Sequence, residues 1–454
     1  MRRFLWIPLA IVGGLAVGAM GEGSTSPGAD ADEIKAVERQ LSRLPLGAVK
    51  GAGGWFTPEV SRAYHRSRIM LAEAEGDRKQ VKRAGASLAT LQELCAFRVT
   101  VESSGEARLR RGRGPLPGLA ADVPVPFLVL LDNPRRVQAS AAARSDGDVQ
   151  CQMLSDTTVT PQDDWLLVVG ILRCRQPGRR TLTLRVNEPT PSAPLECKLE
   201  VAAMAEATLS IRDQEGQPVW AAIEFRDVAG NAYPPPFDRA GGPDQRFQTQ
   251  AYRTDGQTIR LPVGCVEVEA SRGPEYGTVR RIIRMAPGAS NRIDIVLSRW
   301  IDLPREGFYS GDDHVHAGTG RLFGPDRKGM TPEDLMAHTQ GEDLHVCHLV
   351  RLNYTGETAE FQRRQFRADP DPLSRTNHIL KYDVEVSGFP SSHLGHPLLL
   401  NLSRDDYPSN CTWNLPIVSW AKEQPGVIVG YAHPTFARYG FERPFNFSFC
   451  ELGS

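Results

Sequence analysis

A short stretch rich in glycine, aspartate and histidine carries the residues best suited to catalysis. It reads GFYSGDDHVHAGTG over residues 307–320 and contains His314 and His316. Histidines two positions apart on an extended segment point to the same side, so both imidazoles can bind one metal ion. Asp312 lies two residues before His314 and is predicted either to bind that ion or to hold an imidazole in one tautomer. The pattern therefore predicts a metal site.

The distribution of histidine supports this location. Nine of the ten histidines lie between His314 and His433. An HxH pair by itself is a weak signal, so the elements around it have to support the prediction. His338 and His378 are expected to be surface residues on helices or loops, outside the site.

The elements that must position these side chains follow residue 304. Thr331–Pro332–Glu333 is typical of a helix N-terminus, with an N-cap threonine and proline at the first helical position. The apolar runs Leu344–Val350, Tyr382–Val386 and Gly426–Tyr431 indicate buried strands. This alternation predicts an α/β unit with parallel strands over residues 304–454.

Two β-rich stretches precede that unit. Residues 95–204 contain the strand-like runs FRVTVES, VPFLVLLDN, WLLVVGILRC and TLTLRVN, separated by turn residues. Residues 205–303 contain ATLSIRD, WAAIEFRD and NRIDIVLSR. Short alternating runs of this kind predict two successive β-sandwich units.

The N-terminus is typical of an export signal. Arg2 and Arg3 precede an apolar run, Phe4 to Val17, and small residues follow, so residues 1–21 are predicted to be a signal peptide. The protein is therefore expected to be periplasmic or extracellular, with an uncleaved anchor as the alternative. No later stretch is long and apolar enough for a membrane span. Residues 22–94 are predicted to be a helical segment, with Thr57 as one N-cap.

Charge and cysteine content exclude several classes of protein. A formal net charge of −1 gives no support for nucleic-acid binding, which requires a basic surface. The eight cysteines contain no CxxC pair, which excludes a zinc ribbon or a thioredoxin-type site. Cys151 and Cys174 form a candidate disulfide for an exported protein; alternatively, most of the cysteines are small buried hydrophobic residues.

The string YSGDDHVHAG closely resembles the opening SGD-x-HxH motif of the PHP (polymerase and histidinol phosphatase) superfamily of metal-dependent hydrolases. It is most similar to the CehA/McbA branch, in which the motif follows a β-rich N-terminal region. The resemblance covers about residues 205–454 and is most specific at 300–317. It implies a distorted α/β barrel with metal ions at the C-terminal ends of its strands.

Three further residues match the order of motifs in this family. They are Glu385 in KYDVEVSG, His396 in SSHLGHPLLL and His433 in VIVGYAHP. The resemblance implies that these residues bind metal together with His314 and His316, and that Glu385 bridges two ions. Imidazole and carboxylate ligands suit Zn, Mn and Fe alike, so the expected cofactors are divalent metal ions. His396 and His433 are also candidate catalytic residues, which would protonate the leaving group instead of binding metal.

The sequence departs from the family pattern in two places. Where the family has Thr-Asp-His at the end of the next strand, this chain reads EDLHVCHLVRLN. His345 and His348 face opposite sides of a strand, so one of them at most is expected to replace the missing ligand. The family's last Asp-x-His motif does not occur before Ser454, so residues 304–454 are expected to form a partial domain. His393 competes with His396 for the same motif position.

The resemblance implies that a metal-activated water attacks an ester, an amide or a phosphoester. The substrate would be a small molecule or a polymer-derived compound. An alternative of a different class follows from the missing motifs. In that alternative the chain is a catalytically inactive relic, and its β-sandwiches serve as a binding or structural module of the cell envelope.

Overall fold

The computed structural model describes residues 89–101, 107–114, 118–140, 143–146, 148–154, 157–186, 193–239, 243–245, 248–288, 290–316, 330–352, 366–386, 396–408, 411 and 413–432, together with 39, 62–63 and 66. The predicted signal peptide (1–21) lies outside these ranges, as does most of the predicted helical segment (22–94). His433 and His393 also lie outside them. The described part of the chain is β-rich, with several sheets and few helices.

The first group of strands lies between residues 97 and 202. It comprises β1 (Phe97–Val101), β2 (Ala107–Arg111), β3 (Leu119–Ala120), β4 (Val125–Asp132), β5 (Ala139–Ser140), β6 (Ala143–Asp146), β7 (Val149–Met153), β8 (Thr158–Val159), β9 (Trp165–Cys174), β10 (Gly178–Val186) and β11 (Leu195–Ala202). One sheet has the order β2-β1-β4-β9-β7, a second has the order β3-β11-β10-β6, and β5 pairs with β8. The central strand β9, WLLVVGILRC, is buried along nearly its whole length, whereas β11, LECKLEVA, alternates between exposed and buried positions, as expected for a strand with one face on the core.

The second group lies between residues 204 and 297. It comprises β12 (Met204–Asp213), β13 (Trp220–Asp227), β14 (Ala232–Tyr233), β15 (Ala251–Thr254), β16 (Thr258–Pro262), β17 (Gly264–Ser271), β18 (Val279–Met285) and β19 (Asn291–Leu297), with a 3₁₀ helix at Pro236–Asp238. One sheet has the order β16-β12-β19 and the other has the order β14-β13-β17-β18, with β15 added to β13. β19, NRIDIVL, places every second side chain in the core.

The hydrophobic core runs through both groups. Leu131 and Leu182 from the two sheets of the first group belong to the same core as Ile211 and Phe225 from the second. A hydrogen bond from the Asn231 side chain to the carbonyl of Gly118 (3.0 Å) also joins the groups. The packing is therefore continuous across residue 204, where the sequence predicted a boundary between two units.

The third group contains the predicted metal motif. Its elements are a 3₁₀ helix (Leu303–Glu306), β20 (Gly311–Val315), α1 (Pro332–Gly341), β21 (Val346–Leu352), β22 (Ile379–Glu385), β23 (Pro397–Leu400), α2 (Leu415–Lys422) and β24 (Ile428–Tyr431). They form one sheet with the order β20-β21-β22-β23-β24. α1 begins with the predicted cap: the Thr331 hydroxyl accepts a hydrogen bond from the backbone N–H of Asp334, and the Asp334 side chain accepts one from Thr331.

The strand directions in this sheet correct one prediction. β20, β21 and β22 are parallel to one another, as expected, but β23 is antiparallel to β22 and β24 is antiparallel to β23. An antiparallel neighbour needs no crossover, whereas a parallel one needs about a dozen residues or more, and the segment from 386 to 396 is at that lower limit. The sheet is therefore mixed, with its parallel part confined to the strands around the predicted site.

β20 carries an irregularity that affects the metal motif. Its pairing with β21 shifts register between Asp312 and Val315, so two residues of β20 oppose one residue of β21 at this point. A bulge of this kind changes the direction of the side chains that follow. The regular alternation of side chains between the two faces of β20 is therefore interrupted between Asp312 and His314.

The third group packs against the second through charged and aromatic side chains. Arg272 donates to Asp343 (2.7 Å) with both side chains buried. The Tyr252 hydroxyl donates to Glu342 (2.7 Å), and its ring stacks on His338 with centroids 3.8 Å apart. These contacts fix the start of the parallel strands against the β-rich region.

Seven cysteines lie in the described ranges, and all seven are free thiols. Cys151 faces Leu172, whereas Cys174 faces Val149, so the two thiols of the candidate disulfide are not directly opposite each other and do not form it. Four of the seven are buried, which agrees with the alternative that they serve as small hydrophobic residues. Neither α1, α2 nor any other helix in the described ranges has the length and apolar character of a membrane span.

Candidate metal centre

The carboxyl ends of β20 and β22 bring three potential metal ligands together. His314 lies near the end of β20 and His316 follows it, while Glu385 is the last residue of β22. β21 lies between these two strands. Because all three strands run in the same direction, their C-terminal ends meet at one edge of the sheet, where sites in α/β proteins form.

The ligand atoms of these three residues converge. His314 Nε2 lies 3.1 Å from Glu385 Oε2, and His316 Nε2 lies 2.8 Å from the same oxygen. The two Nε2 atoms are 2.9 Å apart. The three side chains together form a group that could hold a metal ion.

The geometry fits such an ion. In a tetrahedral site with metal–ligand distances of about 2.0–2.1 Å, neighbouring ligand atoms lie about 3.3 Å apart. The observed separations of 2.8–3.1 Å are slightly shorter, so small outward movements of the side chains are enough to admit an ion. Two imidazoles and a carboxylate are also ligands that a borderline divalent ion accepts.

A backbone carbonyl group fixes the orientation of the His316 ring. Its Nδ1 lies 3.2 Å from the carbonyl oxygen of Val350 on β21, which can only accept a hydrogen bond. Nδ1 therefore carries the proton, and Nε2 is left with a lone pair directed at the site. This is the arrangement that orients most metal-binding histidines.

Burial and charge act in opposite directions on His314. Burial favours the neutral ring, but the hydrogen bond to Glu385 and its negative charge outweigh this effect and raise the pKa of His314 above its ordinary value of 6.5. The Glu385 side chain is only 2% exposed, whereas both imidazoles are partly exposed. Solvent can therefore reach the group from the histidine side.

His396 contacts the same carboxylate from the other side. Its Nδ1 lies 2.7 Å from Glu385 Oε1, the oxygen that does not face His314 and His316. His396 directly precedes β23, and its carbonyl accepts a hydrogen bond from the backbone N–H of Ala432 at the end of β24 (2.9 Å). The structure thus brings four of the five predicted metal ligands together, and the fifth, His433, lies outside the described residues.

Asp312 makes a different contact from the one the sequence suggested. Its Oδ1 accepts a hydrogen bond from the backbone N–H of His314 (3.1 Å), and its side chain is exposed. The bulge after Asp312 accounts for this, because it removes the alternation that would place Asp312 beside the imidazoles. Asp312 thus stabilises the main chain of the motif.

His348 lies within β21, whereas His345 directly precedes this strand. The imidazole of His348 makes a short hydrogen bond through Nδ1 to Asp383 Oδ2, and the buried Asp383 also accepts one from the backbone N–H of Leu402 (2.9 Å). His345 precedes β21 at the opposite end of the strands and contacts Ser310 (2.9 Å). Neither belongs to the group that could hold the ion.

Sequence reasoning missed Asp383. It lies two residues before Glu385 in the run KYDVE, so both carboxylates point to the same face of β22. A buried strand with acidic residues at alternate positions is unusual, and this was the signal that could have identified it. His338 and His378, expected at the surface, are also partly buried and hydrogen-bonded to backbone carbonyls.

No family model matches this chain, and no curated protein matches it. Matches to solved structures are distant. The TIE protein of Bacillus anthracis is 12% identical, and the match covers 59% of this chain and 54% of that chain with a TM-score of 0.15. Gamma-CGTase from alkalophilic Bacillus clarkii is 10% identical, with 45% and 28% covered and a TM-score of 0.16.

The major pilin protein T-13 from Streptococcus pyogenes is 8% identical, with 40% of this chain and 100% of that chain covered and a TM-score of 0.14. This chain spans about half the length of the TIE protein structure. TM-scores as low as these support no inference about fold or function. The argument about function therefore depends on the site itself.

Proposed function

We propose that this chain is an exported metal-dependent hydrolase that holds its metal through His314, His316 and Glu385. The observation that carries the proposal is the convergence of these three ligand atoms on one point. Two histidines and one glutamate, with a further coordination position open to water, form the ligand set of several catalytic zinc sites. The resemblance of the HxH string to the opening motif of the PHP superfamily supports the same function.

A bound divalent ion would supply Lewis acidity and lower the pKa of a water molecule so that the water becomes a nucleophile near neutral pH. The residues of this chain hold that ion and define its surroundings. The Val350 carbonyl keeps the His316 ring in the required tautomer. The buried Glu385 supplies the negative charge, and the partly exposed imidazoles leave one side open to substrate.

His396 is the candidate for moving a proton to the leaving group. Its Nδ1 is held by Glu385 Oε1, which fixes the imidazole beside the candidate metal ligands. A positioned imidazole is a residue type suited to general acid catalysis. On the basis of the sequence, His433 is the second candidate for this role, or a further ligand.

The reaction class is hydrolysis of an ester, an amide or a phosphoester, and Zn, Mn and Fe are the candidate metals. These bonds share an electrophilic carbon or phosphorus that an activated water attacks. The substrate is a small molecule or a polymer-derived compound. The N-terminal residues favour a periplasmic or extracellular site of action.

The first test is the metal content of the purified mature chain, measured by plasma mass spectrometry. We expect at least one equivalent of Zn, Mn or Fe in the wild type and a loss of nearly all of it in the double variant His314→Ala/His316→Ala. The matched control is His345→Ala/His378→Ala, which removes two imidazoles that directly precede the neighbouring parallel strands β21 and β22. This control is expected to retain its metal.

A folded wild type that binds no metal, even after reconstitution with each ion, would refute the proposal. Equal metal loss in the two double variants would also count against it, because the loss would then reflect general damage to the sheet. If metal is bound, hydrolysis of chromogenic esters, amides and phosphoesters by the wild type and not by His314→Ala/His316→Ala identifies the bond that is cleaved.

A further inference from the structure

A second polar cavity lies at the other end of the parallel strands. Ser310, His345 and His378 directly precede β20, β21 and β22, whereas the candidate metal ligands lie where these strands end. The cavity has a volume of about 630 Å³ and is lined by the two histidines and by side chains of the second strand group. Small-molecule sites commonly have volumes of about 300–1,000 Å³.

Ion pairs hold the wall of this cavity in place. Arg299 donates to Glu275 (2.5 Å) and to the Tyr276 hydroxyl (3.0 Å), and it also pairs with Asp343. Arg272 approaches Asp343 from the second strand group (2.7 Å). Because hydrogen bonds already hold the guanidinium groups of Arg272 and Arg299, these side chains lose little conformational freedom when a ligand binds.

The charges that line the cavity cancel. Three arginines, Arg272, Arg299 and Arg305, face three carboxylates, those of Glu215, Asp302 and Asp343. Arg305 also pairs with Asp302 (2.9 Å). An anion or a cation would therefore gain little from long-range attraction. The lining is nevertheless rich in hydrogen-bonding groups, unlike the mainly apolar pockets that bind drug-like molecules.

His345 and His378 each contribute a ring nitrogen that can accept a hydrogen bond in the cavity. The Ser310 hydroxyl donates to the carbonyl of Asp343 (2.8 Å), so in its contact with Ser310 it is His345 Nδ1 that donates (2.9 Å). His378 Nδ1 donates to the carbonyl of Leu344 (2.8 Å). In each ring Nε2 is left as the acceptor. Burial lowers the pKa of His378, which keeps its ring neutral near pH 7.

Two aromatic rings at the cavity are exposed. Trp300 is 70% exposed and Tyr309 is 62% exposed, and both line the cavity. The indole N–H of Trp300 donates to the carbonyl of Pro274 (2.8 Å), which fixes the direction of the ring. Tyr309 packs edge-to-face on His345 with centroids 5.3 Å apart. The rings are thus oriented, yet their faces stay open to solvent.

We propose that this cavity binds a neutral oligosaccharide. A sugar ring has apolar C–H faces that pack on exposed aromatic rings and a rim of hydroxyls that both donate and accept hydrogen bonds. The cavity offers the matching groups: Trp300 and Tyr309 for the faces, arginine and imidazole side chains for the hydroxyls, and no net charge. The site is separate from the metal centre and does not depend on it.

The test is binding of the full-length chain to an array of neutral and acidic oligosaccharides, followed by isothermal titration calorimetry with maltohexaose, cellohexaose, xylohexaose and chitohexaose. We expect at least one of these neutral saccharides to bind. Trp300→Ala should weaken that binding about tenfold or more, because truncation of an aromatic anchor removes much of the contact energy. Tyr309→Ala should weaken it as well.

Two variants serve as controls. Trp413 is as exposed as the cavity aromatics, at 65%, but lies just before α2, away from the cavity lining, so Trp413→Ala should leave the affinity unchanged. His314→Ala/His316→Ala should also keep full saccharide binding even though it loses metal, which separates this proposal from the hydrolase. The proposal is overturned if the wild type binds none of the neutral saccharides, if it binds acidic ones alone, or if Trp413→Ala weakens binding as much as Trp300→Ala.

Discussion

At the scale of single residues, Glu385 connects the imidazoles of the candidate metal centre. Its Oε2 faces His314 and His316, and its Oε1 faces His396. One buried carboxylate thus fixes the separation between two histidines on the first parallel strand and one beside the antiparallel part of the sheet. A carboxylate with two engaged oxygens is also the residue type that can bridge a pair of ions.

The substitution Glu385→Gln tests this role. It keeps the size of the side chain but removes the negative charge, so metal affinity should fall by about 100-fold or more. Competition with a chelator during Zn and Mn titrations measures the change. Asp406→Asn, which neutralises an exposed carboxylate, should leave the affinity as in the wild type; a fall of similar size there would point to a general electrostatic effect.

The pair formed by His348 and Asp383 should stabilise the fold. Asp383 is fully buried, and the His348 imidazole is hydrogen-bonded to its carboxylate through Nδ1. His348→Ala leaves that carboxylate with fewer partners, so we expect the free energy of unfolding to fall by about 2–3 kcal/mol. Denaturation in urea gives this value. His348→Asn, whose side-chain amide can still donate a hydrogen bond to Asp383, should lose less than His348→Ala; an equal loss would contradict the assignment.

These residues also mark the limit of prediction from sequence. The shared orientation of the HxH pair was predictable from strand periodicity, whereas Glu385 was predicted only through the resemblance of KYDVEVSG to a family motif. The hydrogen bond made by Asp312 was not predictable, because it depends on a bulge in β20 that the residue types do not indicate. Asp383 and His348 meet across two strands, a tertiary contact that depends on the register between those strands.

At the scale of elements, local signals predicted α1 and the buried strands well. Thr331 as N-cap and Pro332 at the first helical position specify the start of α1, and apolar runs specify β21, β22 and β24. β23 was not among the predicted strands. The direction of β23 was not predictable from such signals. The direction of β23 depends on how the segment from 386 to 396 connects it to β22. The positions of the apolar runs alone do not indicate this.

Two glycines provide a test of how closely the second strand group packs against the end of α1. Gly273 follows β17 with a positive φ of 69°, and a Cβ there would lie 2.1 Å from the backbone oxygen of Glu342, just after α1. Gly273→Ala should therefore cost about 3 kcal/mol or more, from left-handed strain together with the clash. Gly256 has a similar φ of 79° and open space around it, so Gly256→Ala should cost about 1 kcal/mol.

The difference between the two variants isolates the contact between α1 and the second strand group. Chemical denaturation of both, under the same conditions, measures it. Equal losses would mean that the close approach of Gly273 to the Glu342 backbone adds nothing to the cost of the substitution.

At the scale of the whole molecule, side chains with a candidate function lie at both ends of the parallel strands. Their carboxyl ends present the candidate metal ligands, and their amino ends face the cavity against the second strand group. That second surface exists because Arg272, Tyr252 and Arg299 hold the third group in place. The β-rich region therefore lines the proposed saccharide cavity and also supports the sheet that presents the candidate metal ligands.

The same junction should make the stability of the molecule sensitive to mild acid. Burial of His338 lowers its pKa below the ordinary value of 6.5, and this effect outweighs the opposing influence of the Pro243 carbonyl, Asp244 and Asp334. The folded state therefore keeps this ring neutral, whereas the unfolded chain takes up a proton as the pH falls through about 6.5. Since the unfolded state binds more protons there, the free energy of unfolding decreases as the pH falls.

We expect the Tm of the metal-free chain to fall between pH 7.5 and pH 5.5, a range that lies above the titration of most carboxylates. His338→Phe keeps the aromatic ring that stacks on Tyr252 but cannot be protonated, so its Tm should fall less over the same range. The residual dependence should combine His378, whose pKa is also lowered by burial, with His314, whose raised pKa acts in the opposite direction. Parallel Tm curves for the wild type and His338→Phe would show that His338 does not couple protonation to the packing of α1 on the β-rich region.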